Sequence, residues 1–333
     1  MALFYMQISS VSRAAGRRAT AAAAYRAGER VRDERTGELH NFSRRRDVLH
    51  TEIFLPGQLD TNATAWARNR ERLWNTAEHA EKRHNARVAR EFQVALPPEL
   101  SPSQRVALAR AFSREVAERY KVAVDLAVHE PRPGGDARNF HAHLLATTRE
   151  VTPAGLGAKA GLDLPGRERR RRELPDHRQE YVSVRERWAT LTNEALREAN
   201  VAARIDHRSL AAQGLDREPT PRIPLMHLKM EQRGVRSEVA ERLRAEYRER
   251  VQRRLQRAAE PAREKEAAAA PAVETTSPQR VPQSGKPGPE ITDLEEIRRQ
   301  AREAWLRLRP KEAERGAEPD SDNVQGREDD RAL

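Results

Sequence analysis

Residues 122–148 read VAVDLAVHEPRPGGDARNFHAHLLATT, and the architecture follows from how they fold. Val122–His129 and Asn139–Thr148 are apolar runs of strand length on either side of a Pro-Arg-Pro-Gly-Gly-Asp turn, which predicts two antiparallel neighbours. Successive side chains of a strand point to opposite faces. Phe140, Ala142 and Leu144 therefore face a core, while His141 and His143 share the other face. Antiparallel pairing brings His129, at the end of the first strand, level with the start of the second, so that three imidazoles converge. Three neutral histidines with coordination positions left open suit a divalent metal used in catalysis.

Three further strands are expected around this pair. They are Leu3–Ser9, Val48–Leu55, which stops at Pro56-Gly57, and Val88–Leu96, which stops at Pro97-Pro98. Ala19–Arg30 is rich in strong helix formers and carries Tyr25. Asn62–Arg87 predicts a long charged helix with Trp66, Leu73 and Trp74 at helical spacing. Ser101 caps a helix running to about Tyr120. Gly155–Pro175 reads as a Gly- and Arg-rich loop, and Arg178–Asn200 as an amphipathic helix with Val182, Trp188, Leu191 and Leu196 on its apolar stripe. Ser237 to about Ala258 is a charged helix. The fold class is α+β: an antiparallel sheet of about five strands flanked by helices, followed by a helical and partly disordered C-terminal region. The expected organisation is a domain over 1–215, a helical extension over 216–261, a disordered linker rich in Ala, Pro, Glu and Ser over 262–293, and a short helix with a polar tail over 294–333.

Composition narrows the function. Of 333 residues 37% are apolar and 34% charged, with a net charge of +11; the mean hydropathy is −0.90 and the pI about 10.4. A field of that sign attracts polyanions, of which nucleic acid is the commonest. With no cysteine in the chain, a disulfide scaffold and a thiolate zinc site are excluded. The N-terminal apolar run is too short for a signal peptide and no stretch approaches the roughly 20 apolar residues of a membrane span, so the expected location is cytoplasmic.

A metal beside a basic surface fits phosphodiester cleavage, because a cation held against a phosphate offsets charge that builds up in the transition state. Among five tyrosines, Tyr25 is the candidate nucleophile: it lies on a helix directly after the first strand, beside Ala21–Ala24, whose small side chains admit a DNA backbone. A phenol keeps its proton at neutral pH, so attack needs an acceptor. Glu91, on the strand face opposite Phe92 and Val94, is the acid paired with the site; it either orients a metal-bound histidine or takes that proton, and a metal-bound water is the other acceptor. Glu78 and Glu81 are weaker candidates, read as solvated helix carboxylates. Phosphate contacts are expected from Arg13, Arg17, Arg18 and Arg26 around the tyrosine helix, and from Arg167, Arg169, Arg170, Arg171 and Arg172 in the basic loop.

Four stretches occur in an order that carries a resemblance: SVSRAAGRRATAAAAYRAGE (10–29), REFQVALPPELS (90–101), VHEPRPGGDARNFHAHLLATTR (128–149) and RERWATLTNEALREANVAARIDHRSLAAQG (185–214). Over roughly residues 1–235 the chain resembles the MobA/MobL relaxases of mobilisable plasmids, within the HUH endonuclease superfamily. The resemblance implies a palm-like antiparallel sheet, with Tyr25 in the place of the nucleophile, His129, His141 and His143 as metal ligands for Mg²⁺ or Mn²⁺, and Glu91 as the glutamate of the strand before the prolines. It implies strand-specific nicking of single-stranded or supercoiled plasmid DNA at an origin of transfer, a 5′-phosphotyrosyl intermediate, and religation after conjugative transfer to a recipient cell. Accessory mobilisation proteins and a type IV secretion coupling protein are the implied partners. The chain departs from the family at Lys229, where relatives commonly carry glycine, and it has no Walker A motif.

Three other functions compete. A rolling-circle replication initiator of the same superfamily usually places its tyrosine after the histidines, whereas Tyr25 precedes them. A basic accessory protein that binds DNA without cutting has no use for three convergent histidines. A zinc hydrolase of small molecules has no use for the arginine excess.

Overall fold

The computed structural model describes residues 2–59, 61–268, 299, 302, 303 and 305. Five strands form one antiparallel sheet: β1 (Met6–Ser12), β4 (Val48–Phe54), β5 (Arg87–Ala95), β6 (Val124–His129) and β7 (His141–Thr147), in the order β1-β5-β7-β6-β4. All five expected strands are present, and the pair read first from the sequence lies at the centre. Two small hairpins, β2 (Arg30–Arg32) with β3 (Leu39–Asn41) and β8 (Arg149–Thr152) with β9 (Gly155–Lys159), stand apart from it.

The alternation of the strands divides the molecule into two cores. On one face Phe92, Val94, Leu126, Val128, Ala142 and Leu144 pack against helices α3 (Pro102–Tyr120) and α5 (His177–Glu198), where Phe112 meets the buried Trp188 with ring centroids 5.1 Å apart. On the other face Val11, Ile53, Ala89 and Leu145 pack against α1 (Ala19–Ala27) and α2 (Arg70–Ala80) through Ala19, Ala23, Leu73 and Trp74. Both helices of the first face start at side-chain caps: Ser101 accepts from the Gln104 N–H and Asp176 from that of Gln179.

The helix expected over 62–87 is broken. Residues 62–68 form a 3-10 turn, α2 begins only at Arg70, and the chain from Glu81 leaves the helix before β5. Asn69 sets the break: its backbone is extended and its side chain accepts the Arg72 N–H at 2.9 Å, satisfying a donor that a continuous helix would have bonded internally. The loop expected over 155–175 likewise holds β9 and the short helix α4 (Gly166–Arg171). Beyond α5 lie α6 (Leu225–Gln232) and α7 (Glu238–Ala268), the latter running past the expected boundary at 261. The rest of the expected linker, helix and tail lies outside the described residues, apart from four positions. One of these, Trp305, is buried on the α3–α5 side with the Arg119 guanidinium 4.5 Å from its ring centroid. No helix among the described residues is long and apolar enough to cross a membrane.

The placement of α1 rests on a residue read from the sequence as merely solvated. Glu78 of α2 is fully buried. Its Oε1 accepts the first helical N–H of α1, from Ala19, at 2.6 Å, and its Oε2 accepts from Arg13 Nε and Nη2 at 2.9 and 2.7 Å. The N-cap residue of α1, Arg18, supplies no side-chain acceptor, so a carboxylate from another helix takes that role and meets the positive end of the helix dipole. Arg13 also donates to the carbonyls of Glu78, Glu81 and Arg83. It is therefore an internal clamp, contrary to the expected phosphate contact. Replacing Glu78 by alanine leaves Arg13 buried without its counter-charge and should cost about 3–5 kcal/mol of stability in urea unfolding; a loss near zero would mean that the three carbonyls alone satisfy Arg13.

Candidate metal centre and nucleophile

In the register of β6 and β7, His129 stands directly opposite His141. His143 follows two residues on, on the same face, and the three ring centroids lie 4.9–5.2 Å apart. One ring nitrogen of each lies within 4.8 Å of one from each of the others. In each ring one nitrogen also meets an oxygen. His129 Nε2 donates to the Arg26 carbonyl at 2.7 Å, His141 Nδ1 to the Asn139 carbonyl at 2.9 Å, and His143 Nδ1 to Glu91 Oε1 at 2.7 Å. A carbonyl or an ionised carboxylate has no proton to give, so each of these ring nitrogens must carry one. The lone pair is thereby fixed on the remaining nitrogen of each ring, the tautomer that a metal ligand needs.

Two of the imidazoles are also held neutral. Burial, opposed only in part by the bond to the Arg26 carbonyl, pushes His129 down to about 3, and burial moves His141 in the same direction. Glu91 moves oppositely to what burial alone would give. Burial raises its carboxyl, but the hydrogen bonds from His143 and Arg26 outweigh that and hold it well below the usual carboxylate range. Besides His143, Glu91 accepts from Arg26 Nε and Nη2 at 2.6 Å each and from Ser9 Oγ at 3.4 Å. Its lone pairs are thus spoken for. Arg26, expected on phosphate, is spent on this pair.

Tyr25 lies at the exposed end of α1, 38% accessible. The helix stops three residues later at Gly28, whose φ of +67° and whose N–H bond to Ala24 close its end. A Cβ at Gly28 would also meet Val48 Cγ2 at 3.1 Å. The buried side of α1 is Ala19, Thr20, Ala23, Ala24 and Ala27. Of the four alanines expected to admit a DNA backbone, only Ala21 and Ala22 face outward. With Gly16, Arg17, Arg18 and His40 they line an open groove of about 560 Å³ that reaches Tyr25. Arg18 in this groove pairs with Glu38 at 2.7 Å, and Arg17 is exposed.

The second arginine cluster lies elsewhere. Arg169 is buried on the α3–α5 side of the sheet, donating to the carbonyls of Gly161 and Pro175 and to Glu180. Arg171 and Arg172 pair with Glu168 at 2.8 and 2.7 Å, while Arg167 and Arg170 are exposed. The cluster therefore sits across the sheet from the histidines, and Arg169 braces α4 against α5. Three residues at the site passed unnoticed in the sequence: Arg45, Asp47 and Arg132. Arg45 lies over the Tyr25 ring at 4.2 Å, Arg132 Nη2 donates to Tyr25 Oη at 2.6 Å, and Asp47 accepts from both arginines. The available signals were an arginine three residues after His129 and the Arg44–Arg46 run.

Comparison with known proteins places this geometry. The model of the MobA/MobL family matches residues 17–233. The mobilization protein MobL of Acidithiobacillus ferridurans is 39% identical over 243 residues, covering 66% of this chain and 61% of that protein. A probable mobilization protein MobA of Bifidobacterium longum is 35% identical over 251 residues, covering 66% of this chain and 43% of that protein. The chain thus spans less than two thirds of the length of either relative. Among solved structures, one described under the molecular basis of vancomycin resistance transfer in Staphylococcus aureus aligns with a TM-score of 0.52 at 28% identity, over 62% of this chain and all of that one.

Two outcomes are expected. Glu91→Ala should weaken Mn²⁺ binding about 10- to 100-fold in calorimetric titration, because His143 loses its orienting acceptor; unchanged affinity would show that the strand alone positions the ring. The metal-free protein should lose stability on acidification. The His129 folded-state value lies below its ordinary one near 6.5, so its contribution is fully present above that pH and is lost as pH falls toward about 3. Urea midpoints should fall from pH 6.5 to pH 5.5, less steeply in His129→Leu, above the range near 4.5 in which the unfolded Glu91 carboxyl takes up its proton.

Proposed function

This chain belongs to the MobA/MobL family, and from that membership we propose that it is a relaxase, nicking one strand of plasmid DNA at an origin of transfer and religating it after conjugative transfer. The observation that carries this is the link between nucleophile and metal ligands: His129 is hydrogen-bonded to the backbone of Arg26, the residue next to Tyr25.

Tyr25 Oη attacks a backbone phosphorus in line. The new Oη–P bond forms as the P–O3′ bond breaks, leaving the 5′ phosphate on the tyrosine and a free 3′ hydroxyl. The phenolic proton leaves to water and the 3′ oxygen gains one, so protons balance. Glu91 acts as a positioning residue and not as the acceptor, since its oxygens are already engaged by Arg26 and His143. One phosphoester replaces another of similar energy, so the step is reversible and needs no ATP.

His129, His141 and His143 fit a divalent cation: three imidazoles converge, each with one ring nitrogen bonded to an oxygen, and among the described residues the cluster is made of histidines alone. Mg²⁺ or Mn²⁺ is the proposed ion, the all-nitrogen donor set favouring Mn²⁺ over the oxygen-seeking Mg²⁺. When bound, it polarises a phosphate oxygen and offsets transition-state charge. Single-stranded DNA approaches along the groove over Ala21 and Ala22, with Arg17 on its wall. Accessory mobilisation proteins and a secretion coupling protein are the proposed partners, and the cytoplasm of donor and recipient the proposed location.

The test is nicking of single-stranded oligonucleotides that tile the DNA on either side of the gene, with Mg²⁺ or Mn²⁺, comparing wild type with Tyr25→Phe. Wild type should yield a strand with protein covalently on its 5′ end and Tyr25→Phe none. Equal cleavage by both would remove Tyr25 from the mechanism.

A further inference from the structure

The nucleophile is not left to solvent. Arg132 Nη2 donates to Tyr25 Oη at 2.6 Å. The Arg45 guanidinium lies over the ring at 4.2 Å from its centroid and also donates to the Tyr25 carbonyl, while Phe42 meets the ring edge-on at 5.2 Å. Both arginines are tied to one carboxylate. Asp47 accepts from Arg45 Nε at 2.8 Å and through its second oxygen from Arg45 Nη2, and from Arg132 Nε at 3.1 Å. Asp47 is itself fixed by position: it immediately precedes β4, and its carbonyl accepts the N–H of Glu130, the residue after His129. The bracket around the tyrosine is thus anchored at the end of the metal strand.

We propose that Arg132 is a catalytic residue of the nicking and religation reactions, donating to the Tyr25 oxygen when it attacks and again when it leaves, with Asp47 as the residue that positions it. The inference rests on the relaxase reading above and deepens it.

The chemistry divides between the two arginines. Arg45 is largely buried, with its fork engaged by Asp47 and by the Tyr25 backbone; it fixes the ring plane. Arg132 has a side chain 61% exposed, and of its five N–H groups one on Nε and one on Nη2 are engaged by Asp47 and Tyr25. The other three take no partner among the described residues. In the forward direction, as the Oη–P bond forms and the P–O3′ bond breaks, the phenol loses its proton to water and the Arg132 donor stabilises the negative charge on Oη. A guanidinium of planar fork geometry also matches the oxygens of the phosphate being attacked. In the reverse direction the 3′ oxygen attacks phosphorus and the Oη–P bond breaks, so the same Oη is the leaving group. The same donor meets the charge that returns to it. A group that stabilises a shared transition state speeds both directions equally.

Asp47 has a separate role. Without it, Arg45 and Arg132 would stand beside each other as uncompensated like charges next to the tyrosine, and Arg132 would lose the acceptor that fixes its Nε. The surrounding arginines hold the Asp47 carboxyl well below the usual carboxylate range, with the Arg45 hydrogen bonds foremost.

The experiment uses the full chain with Mn²⁺ and the tiled oligonucleotides, under single-turnover conditions. Arg132→Ala should slow covalent complex formation about 100-fold, the scale for removing one donor from a developing oxyanion. It should slow religation by the same factor, leaving the equilibrium fraction of covalent complex unchanged. Affinity for uncut strand, measured in the Tyr25→Phe background with and without Arg132→Ala, should change little. Arg132→Lys should recover part of the rate, and added guanidinium ion should partly rescue Arg132→Ala but not Asp47→Ala, in which both guanidinium groups remain. Nicking by Arg132→Ala at the wild-type rate overturns the assignment while the relaxase reading stands. So does a loss accounted for wholly by weaker strand binding, which would make Arg132 a phosphate tether. A wild-type chain that never becomes linked to DNA overturns both readings.

Discussion

One carboxylate holds the site together. Glu91, on the central part of the sheet, takes two hydrogen bonds from Arg26 of the tyrosine helix and one from His143 of the metal strand. An ionised carboxylate this deeply buried survives only because both partners donate to it. The dependence runs in both directions. Arg26 can be buried beside the sheet because Glu91 neutralises it, and His143 presents the correct nitrogen because Glu91 binds the other. The carbonyl of the same Arg26 fixes the tautomer of His129. A displacement of α1 would therefore unsettle two of three histidines at once, and the tyrosine helix and the histidine cluster behave as one mechanical unit.

The sheet makes this possible by keeping its two faces distinct. Along β7 the even residues Ala142, Leu144 and Ala146 are buried in the core built with α3 and α5, and the odd residues begin with His141 and His143 before giving way to Leu145 in the second core. The chemistry thus occupies the end of a face whose remainder is packed by α1 and α2. A strand needs a hydrophobic majority on both faces to sit in the middle of a sheet; placing the imidazoles at its first turn leaves the rest of the strand free to supply that. The polar end of β7 meets the polar end of β6 because the register puts His129 against His141.

Legibility in the sequence followed the strength of the periodic signal. The five sheet strands are long enough to show alternation between breakers, and the convergence of the three histidines follows from alternation plus antiparallel pairing. The hairpin of β2 and β3 has three residues per strand and buries only Val31 among them, too little to register as a pattern. Asn69 broke a helix whose apolar spacing looked continuous, because a side-chain cap overrides propensity locally. At the candidate site, the meeting of the tyrosine helix, Glu91 and the histidines was legible because each belongs to a patterned element. Asp47 and Arg132 lie in connecting segments separated by 85 residues, and only the tertiary fold brings them to the phenol. Glu78 was misread because a glutamate on a charged helix is ordinarily solvated, and nothing local announces that it faces the start of another helix.

The charge of the chain has a different meaning in the structure than in the composition. Of the nine arginines expected to meet phosphate, Arg13, Arg26 and Arg169 are internal cross-links, and Arg18, Arg171 and Arg172 are already paired with Glu38 or Glu168. Arg17, Arg167 and Arg170 carry no ion pair among the described residues. A guanidinium that is neutralised within the fold displaces no counterion when DNA arrives, so the net charge of +11 overstates the number of phosphate contacts the domain can make. The arginines that matter most to the proposed chemistry serve through position: Arg26 through Glu91, and Arg132 and Arg45 through Asp47. In each case a carboxylate with below-normal basicity converts a flexible cation into a fixed one. That is the same device used twice, once to orient a histidine of the cluster and once to aim a donor at the tyrosine.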